Sequence, residues 1–424
     1  MNAHRRLEQL FQGLSNYERT RVLPKAWSLS NMRALMDAAG VEHSQPGTWV
    51  QVGGSKGKGT TVLYLEAMAR GAGLSTGAFL SPHLHHVTER VLLDGEPVDA
   101  TTLADAMQQV LAWGQDRELE LSFFEAVTAA AVIVFRDARC EFVALEVGLG
   151  GRLDATTVVP VDGTIITTIE LEHTDLLGDT LEAIATEKAH IMRPGKPSWV
   201  QSDAALDEVF AEHASQMGAC LMPRVRISDV RDDGDATAGV IAVGEHVVGF
   251  RVKEASRFEL PALALGYACL RHLRPELDLD LDDVHRPVLP GRFEVTMAPD
   301  GRALVLDGAH TPSSSARVVE ELRRRFRHES IAVLYASAAG KLWQEGLSEF
   351  LPVADRFFVT ALAGTEGVDP DLVVDWLRTQ GKTAMVVGSP TEGLSELSRC
   401  DAVRLVVGSF YLVGAVRALI QQEQ

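Results

Sequence analysis

The sequence predicts an α/β protein of two domains, and three observations carry that expectation. Short apolar runs alternate with helical patterns through most of the 424 residues, the mark of a parallel sheet covered by helices. The length exceeds what one hydrophobic core usually organises. The alternation weakens after Gly195 and restarts at Ala303, which suggests a larger N-terminal domain, 1–290, with a parallel-rich sheet, and a smaller C-terminal α/β domain, 291–424.

In the first part, strands are predicted at "TWVQV", "STGAFL", "EFVALEV" and "TIITTI", with helices over Thr60–Arg70, Phe123–Phe135 and Thr180–Met192. "VTERVLLDGEPV" alternates around Asp94-Gly95, which favours a hairpin. The segment from Arg224 to Val252 reads as short strands and turns with no assignable chemistry. A helix "ALALGYACLRHL" follows, and the proline-punctuated "HRPVLPGRFEV" suggests a hinge. Beyond it, "ALVLD", "IAVLYAS", "RFFVT", "AMVV" and "VRLVVGS" read as strands. Helices are read at "SSSARVVEELRRRF", after "IAVLYAS", at "DPDLVVDWLRTQ" and at "FYLVGAVRALIQQ".

Composition narrows the function. With 46% hydrophobic and 23% charged residues the chain is an ordinary globular protein. A formal charge of -18 argues against a nucleic-acid or anionic-membrane partner, because a phosphate backbone needs clustered Lys and Arg. Any bound anion must be held locally, by loop amides and a few cations. No stretch resembles a signal peptide or membrane span, and Cys140, Cys220, Cys269 and Cys400 form no C-x-x-C pair, so a reducing cytoplasm is the expected compartment.

The loop "GGSKGKGTT" lies between a predicted strand and a predicted helix. It misses the common G-x-x-x-x-G-K-[ST] spacing twice, since Val52 stands where the first glycine belongs and Gly59 separates Lys58 from Thr60. The arrangement still aims backbone amides and a helix N-terminus at one spot, suited to a polyphosphate. Lys58 adds a cation, and the Thr60 hydroxyl is placed to approach Mg²⁺.

Ser81, Glu146 and His173 each follow a predicted strand, where α/β folds keep their ligands, and together they offer the few oxygen and nitrogen donors Mg²⁺ takes from a protein. A lone histidine after a strand is also a common structural residue, and His83, His85 and His86 lack an evident fourth zinc ligand. Lys188 shares a helical stripe with Leu181, Ile184 and Ile191, behind a capping box of Asp179 and Glu182. Desolvation there would populate a neutral amine able to form a carbamate with CO₂; spacing alone favours a lysine snorkelling at the edge of the stripe. "EVGLGGRLDA" lacks the third spaced glycine of a dinucleotide fingerprint.

Taken together, "GGSKGKGTT", "LSPHL", "ERVLLDGEPV", "SFFEAVTAAA", "LEVGLGGRLDAT", "ITTIELEHTDLLGDTLEAIATEKAHI", "LPGRFEV", "LDGAHTP" and "VVGSFYLVGAVR" resemble the folylpolyglutamate synthase and dihydrofolate synthase family of the Mur ligase superfamily. The motifs occur in family order from Asn31 to Arg417. The resemblance implies a Mur-ligase-like phosphate-loop ATPase domain followed by a smaller Rossmann-like glutamate ligase domain. It assigns Gly54, Ser55, Lys56, Gly57, Lys58, Gly59, Thr60, Arg292, Asp307 and His310 to ATP. Ser81, Glu146 and His173 fall on Mg²⁺ positions, and Lys188 on a carbamylated lysine that binds a second Mg²⁺. Ser122, Phe123, Phe124 and Glu125, with Arg152, Leu153 and Asp154, match segments lining the pteroate site. Lys58, His173 and Lys188 would be the catalytic residues.

The implied reaction adds L-glutamate to dihydropteroate or a folate through an acyl phosphate, by a monomeric cytoplasmic enzyme whose second domain closes over the first. The chain departs from the family pattern at Ser55, Lys56, His190, Thr311 and Gly340. An amide ligase for a non-folate acid is therefore a second reading, and a phosphate-loop kinase or regulatory ATPase a third.

Overall fold

The computed structural model describes residues 3–17, 28–41, 47–282, 284–298, 300–327, 329–362 and 365–423. The chain forms two compact units, Met1–Pro287 and Val288–Gln424. Among the described residues no helix is long and apolar enough to cross a membrane.

The first unit is built on an eight-stranded sheet. In chain order its strands are β1 (Thr48–Gly53), β2 (Thr76–Phe79), β3 (Val91–Leu93), β4 (Glu96–Pro97), β5 (Phe142–Glu146), β6 (Gly163–Ile166), β7 (Pro197–Val200) and β8 (Cys220–Leu221). Their spatial order is β4-β3-β2-β5-β1-β6-β7-β8. The run from β2 to β8 is parallel, and β3 and β4 add the antiparallel hairpin expected around Asp94-Gly95. Trp49, Val50, Gln51 and Val52 are all buried because β1 is covered on both faces, which is why its apolar run does not alternate. Register places the site: Val52 pairs with Glu146 on one side and Ile165 on the other, and Phe79 pairs with Leu145. The carboxyl ends of β1, β2, β5 and β6 therefore open at one sheet edge.

Helices pack over this sheet. Lys58–Gly71 starts two residues before the predicted Thr60, because Gly57 in the left-handed region (φ 83°) forms its N-cap. Phe123–Asp137 is buried along nearly its whole length, against Ala100–Asp116, a helix with no sequence prediction. The helix carrying Lys188 spans Leu181–Ala189, shorter than the predicted Thr180–Met192. Its cap is Thr180, whose side chain accepts from the Ala183 amide, and not Asp179. Leu181 is exposed, so the buried stripe runs through Ile184, Lys188 and Ile191.

The segment predicted as short strands holds β9 (Val225–Asp233), β10 (Ala236–Val243) and β11 (His246–Lys253), of nine, eight and eight residues. They pair antiparallel through tight turns, and β12 (Val284–His285) joins β11 to complete a four-stranded sheet.

The second unit has six strands: β13 (Glu294–Met297), β14 (Ala303–Asp307), β15 (Ile331–Tyr335), β16 (Ala354–Val359), β17 (Thr383–Val386) and β18 (Val403–Val407). Their order is β13-β14-β18-β15-β16-β17, parallel except for β13. Phe293, Val305, Leu322, Val333, Phe357 and Leu405 lie in one apolar core. The helix Pro390–Ser398 lies between β17 and β18, outside the predicted elements.

Candidate active site

The phosphate loop leaves β1 through Gly54, whose φ of 130° and tight surroundings exclude a side chain: a Cβ there would sit 1.9 Å from Thr167 Oγ1. The loop is laced to the chain that follows β6. The Ser55 amide donates to Thr168 O at 2.7 Å, the Lys56 amide to Thr168 Oγ1 at 3.1 Å, and Thr167 Oγ1 to Lys56 O at 2.7 Å. Ser55 Oγ accepts from the Glu170 amide at 3.0 Å. The helix then opens with Lys58, Gly59 and Thr60, whose amides belong to a first turn without intrahelical acceptors, the arrangement that holds anions.

A pocket lies directly over this loop, lined by Gly54, Lys58, Val147, Gly148, Leu149, Gly150, Glu172, His173 and Lys188. Lys188 is not a snorkelling residue. Its side chain is 2% exposed, and Nζ donates to Gly54 O at 3.1 Å and pairs with Glu172 Oε1 at 2.8 Å. Burial and the neighbouring Lys58 ammonium push the Lys188 amine down to about 8, against the opposing pull of Glu172. Burial raises the Glu172 carboxyl, but Lys188 and Lys58 outweigh it and hold the group below the usual carboxylate range. Burial lowers the His173 imidazole and favours its neutral, ligating form. His173 also stands at φ 46°, a left-handed conformation that costs a non-glycine residue about 1 kcal/mol or more.

Glu146 ends β5, buried, and its Oε2 accepts the Ser81 amide at 2.9 Å. The two predicted metal-binding residues on β5 and after β2 are thus in contact. His83 Nδ1 accepts from Arg90 Nε at 2.7 Å, and Glu89 accepts the Leu84, His85 and His86 amides. Among the described residues no group of three His, Cys, Asp or Glu side chains is arranged to hold a metal.

Val147 to Gly150 line the pocket beside the phosphate loop, and the same loop continues to Asp154. Asp154 is fully buried, with Oδ2 accepting from the Gly148 and Leu149 amides and Oδ1 from the Thr156 amide and hydroxyl. Burial raises its pKa against those hydrogen bonds. Thr156 and Thr157 hydroxyls accept from Gln51 Nε2, whose Oε1 accepts from Arg193 Nη2 at 2.9 Å. Arg193 also donates to Thr157 O and to the carbonyl of Ile191 behind Lys188. One buried network therefore ties β1, the Gly148 loop and the lysine helix together. Arg152 pairs with Glu187 at 3.1 Å, and Leu153 is half-buried.

The "SFFE" segment is partly accounted for by helix capping. Ser122 Oγ accepts the Glu125 amide and Glu125 accepts the Ser122 amide, a reciprocal cap. Phe123 lies under Arg90, 5.1 Å from the ring centroid. Phe124 presses on Gly148, where a Cβ would meet its ring at 2.5 Å, so this segment does reach the pocket loop. Sequence reasoning missed Glu172 and the Val147, Gly148, Leu149 and Gly150 lining of the pocket; for Glu172, its place beside His173 in "ELEH", just past a strand, was the available signal.

Arg292, Asp307 and His310 lie in the second unit. Asp307 Oδ2 accepts the Phe293 amide and Oδ1 the Ala309 amide, both at 2.7 Å, which staples the arginine turn to the "DGAH" turn. His310 Nδ1 donates to Gly308 O at 2.9 Å.

Comparison with known proteins places these features in a family context. The Mur ligase, glutamate ligase domain family matches residues 291–410. A dihydrofolate synthase/folylpolyglutamate synthase of Haemophilus influenzae is 38% identical, covering 97% of this chain and 98% of the relative. A probable bifunctional folylpolyglutamate synthase/dihydropteroate synthase of Haloferax volcanii is 29% identical over 91% of this chain, and the chain spans 48% of that relative's length. The crystal structure of a Yersinia pestis bifunctional folylpolyglutamate synthase/dihydrofolate synthase with AMPPNP and Mn ion superposes with a TM-score of 0.80 at 30% identity, covering 95% of this chain and 96% of that one.

Proposed function

The chain belongs to the dihydrofolate synthase/folylpolyglutamate synthase family, and from that premise we propose that it is an ATP-dependent ligase joining L-glutamate to the carboxylate of a dihydropteroate or folate. The observation that carries the reading is the pocket in which the Gly54 loop, Lys58, Glu172, His173 and Lys188 meet the Gly148–Gly150 wall.

A carboxylate resists amine attack because its charge repels the nucleophile and oxide is a poor leaving group. Transfer of the γ-phosphoryl of ATP gives an acyl phosphate that the glutamate amine attacks, through a tetrahedral intermediate that expels phosphate. In the phosphoryl step the loop amides and the Lys58 ammonium hold the oxygens of the moving group, where charge spreads. By donor type, Ser81 oxygen, the Glu146 carboxylate and a neutral His173 suit a hard divalent cation, and would hold one Mg²⁺ and leave room for water. Lys188 fits a carbamate, since its buried amine is pushed down to about 8, and that carbamate would hold a second Mg²⁺. Bound there, the metal ions would neutralise phosphate charge. Gln51, Arg193 and Asp154 keep the Gly148 wall at a fixed distance from the phosphate loop, and Phe124 shapes the acceptor side. Arg292, Asp307 and His310 are assigned to the nucleotide from the second unit.

The test is phosphate release by purified protein with MgATP, L-glutamate and a panel of pteroate, folate and non-folate acids, with products read by mass. Coupling of glutamate to a pteroate or folate is the expected product. Coupling only to non-folate acids would reassign the acceptor, and turnover without any acceptor, unaffected by Lys188→Ala, would replace the ligase with an ATPase or kinase.

A further inference from the structure

We propose that Phe410 is a positioning residue for the nucleotide-facing side chains of the second unit, a single ring that fixes Arg292 and His310 together. The inference rests on the nucleotide role proposed for those two residues and adds a group that no motif reading assigned.

Three separate contacts converge on the ring. The Arg292 guanidinium carbon lies 4.3 Å from its centroid, within the range of a cation–π contact. The His310 ring meets it edge-on, at 6.4 Å and 70°. Gly308 lies flat against it: a Cβ at Gly308 would stand 2.5 to 2.6 Å from Phe410 Cε1, Cδ1 and Cζ, so the glycine is there for room.

The backbone supports the same geometry. The Gly308 amide donates to Gly291 O at 2.9 Å, which joins the turn before Arg292 to the turn before His310. Asp307 staples the same two turns. Phe293, next to Arg292, is held at φ 44°, a strained conformation for a bulky residue. Phe410 opens the Phe410–Glu423 helix, so its ring is carried on a rigid element. Arginine has four rotatable side-chain bonds, and its fork binds phosphate or ribose only once oriented. The Phe410 face supplies that orientation before the nucleotide arrives, and the imidazole, fixed at Nδ1 by Gly308 O, is aligned by the ring edge.

The experiment compares Phe410→Leu, Phe410→Tyr, Arg292→Ala and the Arg292→Ala/Phe410→Leu double variant of the full chain, reading the Kd for ADP, the KM for MgATP and L-glutamate, and Tm. The expected result is a roughly tenfold weaker nucleotide affinity in Phe410→Leu, the loss of one cation–π contact, with the glutamate KM unchanged. Phe410→Tyr restores affinity, and Phe410→Leu adds little once Arg292 is gone. Wild-type affinity in Phe410→Leu beside a clear defect in Arg292→Ala overturns the proposal and leaves the nucleotide reading intact. Full additivity in the double variant overturns it as well. Unchanged affinity in Arg292→Ala removes the nucleotide role of Arg292 and the proposal with it. If Phe410→Leu lowers Tm, Phe410→Tyr decides: failure to restore affinity at wild-type Tm overturns the proposal.

Discussion

Lys188 Nζ and Glu172 Oε1 lie 2.8 Å apart, a charge pair in which the lysine side chain is almost completely enclosed and the glutamate side chain is one-fifth exposed. The pair explains how an ammonium is tolerated beneath the phosphate loop, next to Lys58. Its second partner, Gly54 O, is neutral, so the carboxylate carries the compensation. Glu172→Gln keeps the shape and removes the charge. It should lower stability by about 1–3 kcal/mol, the usual cost of weakening a buried charged hydrogen bond, and reduce kcat for glutamate ligation. Equilibrium denaturation and steady-state kinetics check both. An unchanged protein would mean that Glu172 is a bystander.

The depressed pKa of Lys188 makes a second prediction with a definite sign. In the folded chain the amine is pushed down to about 8, whereas an unfolded lysine keeps its ordinary value of 10.5. Between those values the unfolded chain binds the proton that the folded chain has released, so stability should rise with pH. The penalty for burying the cation is fully present below about 8 and is relieved as pH climbs toward 10.5. Chemical denaturation in CO₂-free buffer, comparing the wild type with Lys188→Met, isolates this slope. The difference between the two proteins should move in favour of the wild type over that window; a flat difference would contradict the buried-amine assignment.

Lys58 is a half-buried lining residue of the pocket, with a long 3.5 Å contact to Ser55 O. Because it supports so little of the fold, Lys58→Ala should leave Tm nearly unchanged. In kcat/KM for MgATP the loss should be about 10²–10³-fold, the typical effect of removing one preorganised donor to transition-state charge. A loss below threefold would exclude Lys58 from the phosphoryl step.

What the sequence made legible follows from how local each feature is. The phosphate loop could be read because Gly54 and Gly57 stand at positive φ, where glycine is favoured, and the strands because β1, β5 and β6 are buried on both faces and mostly apolar. Glu172 could not, because its partner Lys188 is met only after the chain turns through left-handed His173 and returns along the Leu181–Ala189 helix. Asp179 and Thr180 both carry capping oxygens, and only backbone geometry decides for Thr180. Ala100–Asp116 escapes a sequence pattern because its many small and polar residues dilute the apolar stripe, although Asp99 caps it by accepting the Thr101 amide. Phe410 reads as an ordinary helix residue until Arg292 and Gly308 are seen against its ring.

Arg193 makes the fourth prediction. Its guanidinium bridges Gln51 Oε1, Thr157 O and the Ile191 carbonyl, and burial alone pushes it down to about 10. Arg193→Met strips those acceptors of their donor at a cost of about 2–4 kcal/mol. Because the network reaches Asp154 and the Gly148 wall, the remaining folded enzyme should show a raised KM for the acceptor with a smaller change in KM for MgATP. Equal changes in both constants would mean that the network holds the fold without shaping the acceptor side.

Glu259 and Arg286 supply a stability prediction away from the pocket. The two side chains are 6% and 5% exposed and are joined by hydrogen bonds from Arg286 Nε at 3.0 and 2.8 Å and Nη2 at 2.6 Å. Glu259 also accepts the Ser256 amide at the start of its helix. Removing one partner of such a pair leaves the other charge buried, so Glu259→Leu and Arg286→Met should each cost about 3–5 kcal/mol. The double variant removes both charges and should cost less than either single change, because the desolvation penalty disappears with the attraction. Urea denaturation of the three proteins measures the coupling. A double variant as unstable as the sum of the singles would show that the pair contributes through its separate backbone contacts rather than through its mutual charge.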